Sequence, residues 1–282
     1  RPQGFALMNA ELTLWTMPLV AVLSAGFGAG FAGGMFGIGG GFVVVPALML
    51  VLPLLGGDSG HITHVAVGTS LATIIVTSLR SVQAHARRGA VEFEVLRSWG
   101  PWIVLGVGCG ILLANHVSGK TLALLFGIGV SLMSLHFLVP GLSNRRIWDE
   151  MPSGYARSGI ASGLGVFSSL LGIGGGVLVT ILMTLSGRSI HRSIGTAAGI
   201  GPIIAIPGMI GFMAIGLDAP DRPWGSIGYV NLPAALAIAS VSIFAAPLGV
   251  TAAHKLPAGI LRLIFGIYLL LIGYLMIRNG LR

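Results

Sequence analysis

The sequence predicts an all-α polytopic membrane protein of about ten transmembrane segments, arranged as two inverted five-helix repeats with glycine-broken helices. Three observations carry this. The 282 residues are 54% hydrophobic and 9% charged, with a mean hydropathy of +0.93. A soluble domain of this size would need more charge on its surface, whereas apolar stretches of about 20 residues read as membrane spans. Gly37-Ile38-Gly39-Gly40-Gly41 recurs 135 residues later as Gly172-Ile173-Gly174-Gly175-Gly176. Each glycine costs a helix about 1 kcal/mol relative to alanine, so both runs interrupt the segment that holds them. Matched breaks in two halves of a membrane chain are the sequence mark of a transporter's binding site.

The apolar segments fall at 13–35, 41–55, 64–85, 98–115 and 119–140, then at 154–172, 175–187, 191–216, 229–252 and 257–278. The first repeat is 1–140 and the second 154–282. A cytoplasmic linker at 141–153 holds the polar run from Ser143 to Glu150. The second and seventh segments are short and directly follow the glycine runs. The halves match elsewhere too: His64 to Thr69 aligns with His191 to Thr196, Gly110 with Gly249, and Phe126-Gly127 with Phe265-Gly266. The offset moves from 135 to 127 to 139, as loop-length differences require. Gly26, Gly30 and Gly34, four residues apart, read as close helix packing.

Five segments per half invert the second half relative to the first. With ten crossings, loops on one side carry Arg87, Arg88, Arg97, Arg145, Arg146, Arg188, Arg192 and Lys255. Those on the other carry Lys120 and Arg222 beside Asp58, Asp218 and Asp221. Basic loops face the cytoplasm, so both termini are expected in the periplasm. If each glycine break were a re-entrant pair with one net crossing, eight against two becomes six against four. Counting Arg1, Arg278 and Arg282 gives eight against five for ten crossings and nine against four for the re-entrant case. Short interior loops carry the rule best, which favours ten.

Phe36-Gly-Ile-Gly-Gly-Gly-Phe-Val-Val-Val-Pro46, His64 through Ser70, and Ser81 through Val91 resemble the signature of the TauE/SafE family of sulfite and sulfonate exporters. Leu171 through Gly176 and Ile227 through Pro233 extend the resemblance over nearly the whole chain. It implies export of sulfite or small organosulfonates across a bacterial inner membrane, or import of a related organosulfur anion. The second half departs where Ala197 stands in place of Ser70.

The residues fit that chemistry. Helices starting at Gly41 and Gly176 present free N–H groups and a partial positive charge to an anion, and glycine lets its oxygens approach the backbone. The expected substrate-binding residues are Gly37, Gly39, Gly40, Gly41, Gly172, Gly174, Gly175 and Gly176, with hydroxyls from Thr69, Ser70 and Thr196. Ser168 and Ser169 precede the second break. His64, His191 and Arg80 are candidates for gating or charge, while His85, next to Arg87-Arg88, reads as interfacial.

No carboxylate falls mid-membrane, so a carboxylate proton relay is not expected, and no Walker A motif couples the chain to ATP. His61, His116, His136 and His254 lack ligand spacing, so neither a metal nor another cofactor is expected. No Gly-x-Ser-x-Gly stretch or membrane aspartate pair supports an enzyme. The net charge of +8 is scattered over short loops, which argues against nucleic acid as a partner. Cys109 is alone and reads as packing. The chain opens Arg1-Pro2, expected of a trimmed start, and shows no signal-peptide cleavage pattern. The expected partners are the lipid bilayer and a small sulfur-containing anion, moved by alternating access as one repeat rocks against the other. An anion channel using the same glycines is the alternative. Exposed small-residue faces would permit a homodimer.

Overall fold

The computed structural model describes residues 2–55, 59–139 and 146–281. Asp58, Ser143, Asn144, Arg145 and the terminal Arg1 and Arg282 lie outside the described residues. Within them the chain is helical apart from one tiny hairpin. Ten α-helices follow in order: α1 (Pro2–Phe36), α2 (Gly41–Val51, continued by a 3-10 turn at Leu52–Leu55), α3 (Ser59–Ala86), α4 (Phe93–Ala114) and α5 (Gly119–Leu138), then α6 (Gly154–Leu171), α7 (Gly176–Leu185), α8 (Ile190–Ile215), α9 (Leu232–Lys255) and α10 (Ala258–Gly280). The hairpin pairs β1 (Ser226–Ile227) with β2 (Val230–Asn231) between α8 and α9.

Helix order agrees with the sequence pattern, and both glycine runs fall at helix breaks. The differences are at ends. α4 begins five residues before its apolar run, carrying Glu94 and Arg97 as helical residues. The residues 226–231 form a hairpin where the pattern gives loop and helix, because the Asn231 side chain caps α9 by accepting from the Ala234 amide at 3.0 Å. Among the described residues, seven helices are long and apolar enough to cross a membrane: α1 over Leu19–Phe36, α3, α4, α5, α8, α9 and α10. At 11 and 10 residues, α2 and α7 reach about 16 Å, half a bilayer core.

Both short helices double back. The first-break residue Gly40 packs on Ala29 of α1, and Val43 lies 3.5 Å from a Cβ placed on Gly28. α2 therefore returns toward the end where α1 began. In the second half, Leu185 at the end of α7 accepts from the Ile147 amide at 2.8 Å, just before α6 starts.

The largest interfaces are α1 on α9, α4 on α6, α3 on α8 and α5 on α10. Small residues make them possible. A Cβ on Gly30 would stand 2.7 Å from the Ser242 carbonyl oxygen, and one on Gly34 or Gly249 would overlap backbone of the facing helix. α3 is the central helix, 78% buried where the other spans are 39–50% buried. It lies antiparallel to α8, with Gly68 on Phe212, Leu71 on Gly208 and Ser78 on Gly201. Large side chains such as Leu132, Leu236, Phe244 and Leu271 point outward, as lipid contact allows.

The bundle has two chemically distinct ends. One, called here the His61 end, gathers the starts of α3 and α5, the end of α8 and the hairpin, with Lys120 and Arg222. At the other, the Glu92 end, Arg88 bonds the Val250 carbonyl near the end of α9, Arg188 reaches Glu92 at 3.4 Å, and Arg146 reaches Asp149. Of the basic residues counted in the sequence, Arg88, Arg146 and Arg188 thus share one end.

The packing yields a paired prediction. Gly249→Leu, which drives a side chain into the Phe31 carbonyl, is expected to cost about 1–3 kcal/mol or more and to lower both monodisperse yield and thermal midpoint in detergent. Gly163→Ala, with open space around it, is expected to leave both unchanged or slightly raised.

Candidate functional site

The two glycine breaks meet at the middle of the bundle. Gly37, Gly39, Gly40, Gly172 and Gly175 have φ of +67°, +70°, +85°, +63° and +68°, a region open to glycine and strained for other residues. Gly40 and Gly175 are the left-handed N-caps of α2 and α7. The breaks cross backbone on backbone: a Cβ on Gly41 would stand 2.5 Å from the Gly172 carbonyl oxygen, and one on Gly176 would overlap the Gly37 carbonyl. Gly174 lies against Ile74 of α3 and the Ile38 carbonyl. All eight predicted glycines are buried. The Val43 amide in the first turn of α2 donates to the Gly40 carbonyl at 2.9 Å, and the positive N-terminal ends of α2 and α7 converge here.

α3 supplies hydroxyls to both breaks. Ser70 Oγ donates to the Gly172 carbonyl at 2.8 Å, and Thr77 Oγ1 donates to the Gly39 carbonyl at 2.7 Å. Among the described residues, two further buried hydroxyls at the crossing have no hydrogen-bond partner: Ser78 Oγ, beside Gly39 and Gly201, and Ser168 Oγ, beside Gly175. Buried polar atoms are normally paired, so an unpaired pair at one place needs an explanation. Thr77 and Ser78 were not singled out in the sequence. The signal for Thr77 is the spacing of Ser70, Thr73, Thr77 and Ser81 along one helix, all buried; Ser78 follows Thr77 and stands outside that spacing.

The other predicted residues lie away from the crossing. Thr69 Oγ1 accepts from the Asn231 amide at 2.8 Å, and Thr196 Oγ1 accepts from the Glu92 amide at 2.9 Å. They fasten the starts of α9 and α4. His64 and His191 are likewise matched: each ring donates from Nε2, at 3.2 Å, to the Ala114 and Ala253 carbonyls respectively. His64 stands near the His61 end and His191 near the Glu92 end. Arg80 is exposed, bonded to Gln83, and faces outward. His85, read as interfacial, is fully buried: its Nε2 donates to the Gly34 carbonyl at 3.1 Å and its Nδ1 accepts from His254 Nε2 at 3.2 Å.

Each end carries a cavity. At the His61 end, about 460 Å³ is lined by His61, His64, Asn115, Ser118, Lys120 and Tyr229. The Tyr229 hydroxyl pairs with His61 Nδ1 at 3.1 Å, and burial holds the Tyr229 phenol above its usual pKa despite nearby Arg222, so it stays protonated. At the Glu92 end, about 470 Å³ is lined by Glu92, Trp99, Arg157, Arg188 and Arg192 among others. Among the described residues, no group of three His, Cys, Asp or Glu side chains is placed to hold a metal ion.

Residues 22–276 match the family model described as sulfite exporter TauE/SafE. The chain is 34% identical over 263 residues to a probable membrane transporter protein of Haemophilus influenzae, covering 92% of this chain and 97% of that one. It is 27% identical to the probable membrane transporter protein MJ0441 of Methanocaldococcus jannaschii, covering 94% and 96%. It is also 27% identical to the probable membrane transporter protein YunE of Bacillus subtilis, covering 94% and 99%. No solved structure matches the chain.

The bonds to Thr69 and Thr196 define a prediction. Thr69→Val and Thr196→Val each leave a backbone amide without its acceptor. Each is expected to cost about 1–3 kcal/mol, read as a lower thermal midpoint, with the transport activity of the protein that remains folded unchanged. A selective loss of transport at constant stability would place these hydroxyls in the transport site instead.

Proposed function

We propose that this chain, which belongs to the TauE/SafE family of membrane transporters, exports sulfite or a small organosulfonate by alternating access, with the anion bound where the two glycine breaks cross. The observation that carries this is the pair of unpartnered hydroxyls, Ser78 and Ser168, beside two left-handed glycine caps that bring the positive N-terminal ends of α2 and α7 to the crossing. An oxyanion with three oxygens is matched to such a donor set. Backbone amides bind it with no carboxylate and no covalent step, and little of its binding energy is lost to reorganisation.

The architecture proposed is two inverted repeats of five segments each, α1–α5 and α6–α10, running in alternating directions. The matched contacts support it. His64 with Ala114 and His191 with Ala253, Thr69 with Asn231 and Thr196 with Glu92, and Gly41 on Gly172 with Gly176 on Gly37 are the same contacts at the offsets of 127, 139 and 135 read from the sequence. In this reading α1–α2 and α6–α7 are hairpins that enter from opposite sides and return, which keeps the segment directions expected of ten crossings. The basic Glu92 end then faces the cytoplasm of a bacterial inner membrane, and both termini face the periplasm.

The moving bodies differ from the sequence repeats. All four of the largest interfaces join one repeat to the other, so rocking repeat against repeat would break most of the packing. The contacts favour bodies that exchange α4 and α9: α1, α2, α3 and α9 against α6, α7, α8 and α4. The driving force for export is the membrane potential, worth about 2.3 kcal/mol per 100 mV for a monovalent anion leaving a negative interior.

The test is flux from proteoliposomes loaded separately with sulfite, methanesulfonate, isethionate, taurine, sulfate and acetate. Saturable, potential-dependent release of sulfite or a sulfonate is expected. Ser78→Ala and Ser168→Ala are expected to leave thermal stability unchanged or raised, because each removes an unsatisfied buried group, while weakening anion affinity about three- to tenfold. Release of no sulfur anion by folded protein would remove the substrate assignment. Large unitary currents would replace the carrier with a channel.

A further inference from the structure

Three histidines from three helices meet at the Glu92 end. His85 of α3 is fully buried, His254 of α9 is half-buried, and His191 stands in the first turn of α8. The His254 ring centroid lies 5.3 Å from that of His85 and 5.3 Å from that of His191. What each ring faces fixes its protons. A carbonyl only accepts, so His85 Nε2 carries a hydrogen toward Gly34 and His191 Nε2 carries one toward Ala253. Nδ1 of the neutral His85 ring is then bare, and His254 Nε2 must carry the hydrogen in the 3.2 Å bond between them. All three Nε2 atoms are committed in this way. Among the described residues no set of bare nitrogens converges on a metal ion, and the ligand that the cluster can take is the proton.

The closed arrangement has room for one. A proton on His254 Nδ1 leaves the Nε2–H bond to His85 in place. A second proton on His85 Nδ1 would set one N–H against another. A second on His191 would place two cations in rings 5.3 Å apart. The groups packed around the cluster do not relieve this. Arg88, held by the Val250 carbonyl and the Thr251 hydroxyl of α9, faces both His85 and His254. On α8, Arg192 follows His191 and is paired with Glu92 at 3.8 Å; on α9, Lys255 follows His254 and is exposed. Leu19–Phe36 of α1 contains no charged residue. The cluster is also one-sided. At the repeat offsets of 139 and 127, His254 and His85 correspond to Asn115 and Phe212.

We propose that His85, His254 and His191 form a proton-binding site that controls the separation of α8 from α9 at the Glu92 end. The closed arrangement holds one proton, and the separated one holds more, because its rings no longer face one another. Acid therefore favours opening, since a fall in pH shifts an equilibrium toward the form that binds more protons. One proton of difference changes the open-to-closed ratio about tenfold per pH unit. His254 and His191 belong to opposite moving bodies, so the repulsion develops across the boundary where the bodies part. That this opening serves transport rests on the transport reading; the proton site rests on the cluster alone.

A distance measured across the Glu92 end tests this without any substrate. Tyr155, 97% exposed at the start of α6, and Lys255, exposed at the end of α9, are changed to cysteine in a Cys109→Ala background and spin-labelled. Pulsed dipolar spectroscopy on the full chain in lipid nanodiscs then follows the label distance from about pH 8 to about pH 5.5, across the ordinary histidine range. A longer distance is expected to gain population as the pH falls, its ratio to the shorter one rising about tenfold per unit. His254→Asn, which installs the residue of the other repeat, is expected to abolish this response. So is His191→Gln, which keeps a donor for the Ala253 carbonyl. Thermal midpoints near pH 8 check that both variants are folded. A distance indifferent to pH, or one that shifts equally in both variants, would overturn the proposal even where sulfur-anion flux is intact. An acid-driven shift lost in both variants, in protein that moves no sulfur anion, would retain the proton site and remove the transport reading.

Discussion

Two stretches of non-helical backbone, laid against each other at the centre of an apolar bundle, set the terms for everything around them. In hydrocarbon each unpaired amide or carbonyl costs several kcal/mol, so irregular backbone survives there only when protein surrounds and satisfies it. Here the carbonyls of Gly39 and Gly172 are met by hydroxyls of α3, which explains why α3 is the most buried helix and carries a polar stripe through the middle of a membrane protein. The close crossing in turn demands that α2 and α7 turn back, that Gly40 tuck against Ala29, and that α1 lie close on α9 through Gly26, Gly30 and Gly34. The glycine content that looks permissive in the sequence is consumed by these contacts.

What the sequence made legible follows from signals of sufficient size. Segment order, the two breaks and the basic end are coarse patterns of hydropathy, glycine and charge, and they survive into the fold. The readings that changed depend on partners distant in sequence. A hydroxyl mid-helix can donate to its own backbone, to a ligand or to another helix, and nothing local tells Thr69, which accepts from Asn231, from Ser70, which donates to Gly172. His85 looked interfacial from its neighbours Arg87 and Arg88, but the Gly34 carbonyl and His254 reach it from α1 and α9. Arg80 carries a charge that is exposed and bonded to Gln83 of its own helix, away from the glycine breaks. The hairpin at Ser226–Asn231 is too short to show a period of any kind.

The two breaks are alike in backbone and unlike in side chains. At the repeat offsets, Ser70, Thr77 and Ser78 of α3 correspond to Ala197, Ile204 and Ala205 of α8, while Ser168 of α6 corresponds to Gly33 of α1. Pairing of backbone therefore requires only the glycines, and the hydroxyls are free to differ. In the proposed transport reading the division has a use: the glycine crossing fixes the fold and supplies the anion site, and the side chains of α3 and α6 tune which anion it takes.

The matched histidines complete the mechanical argument. In the proposed grouping of α1, α2, α3 and α9 against α6, α7, α8 and α4, the Thr69–Asn231 and Thr196–Glu92 bonds lie within a body. The His64–Ala114 and His191–Ala253 bonds lie between bodies, one near each end of the bundle. A rocking motion can keep the first pair and must break one of the second pair at a time. Both histidine bonds are closed in this structure and the crossing between them is buried; in the proposed cycle this is the occluded conformation, with each histidine a latch on the path to its own side of the membrane.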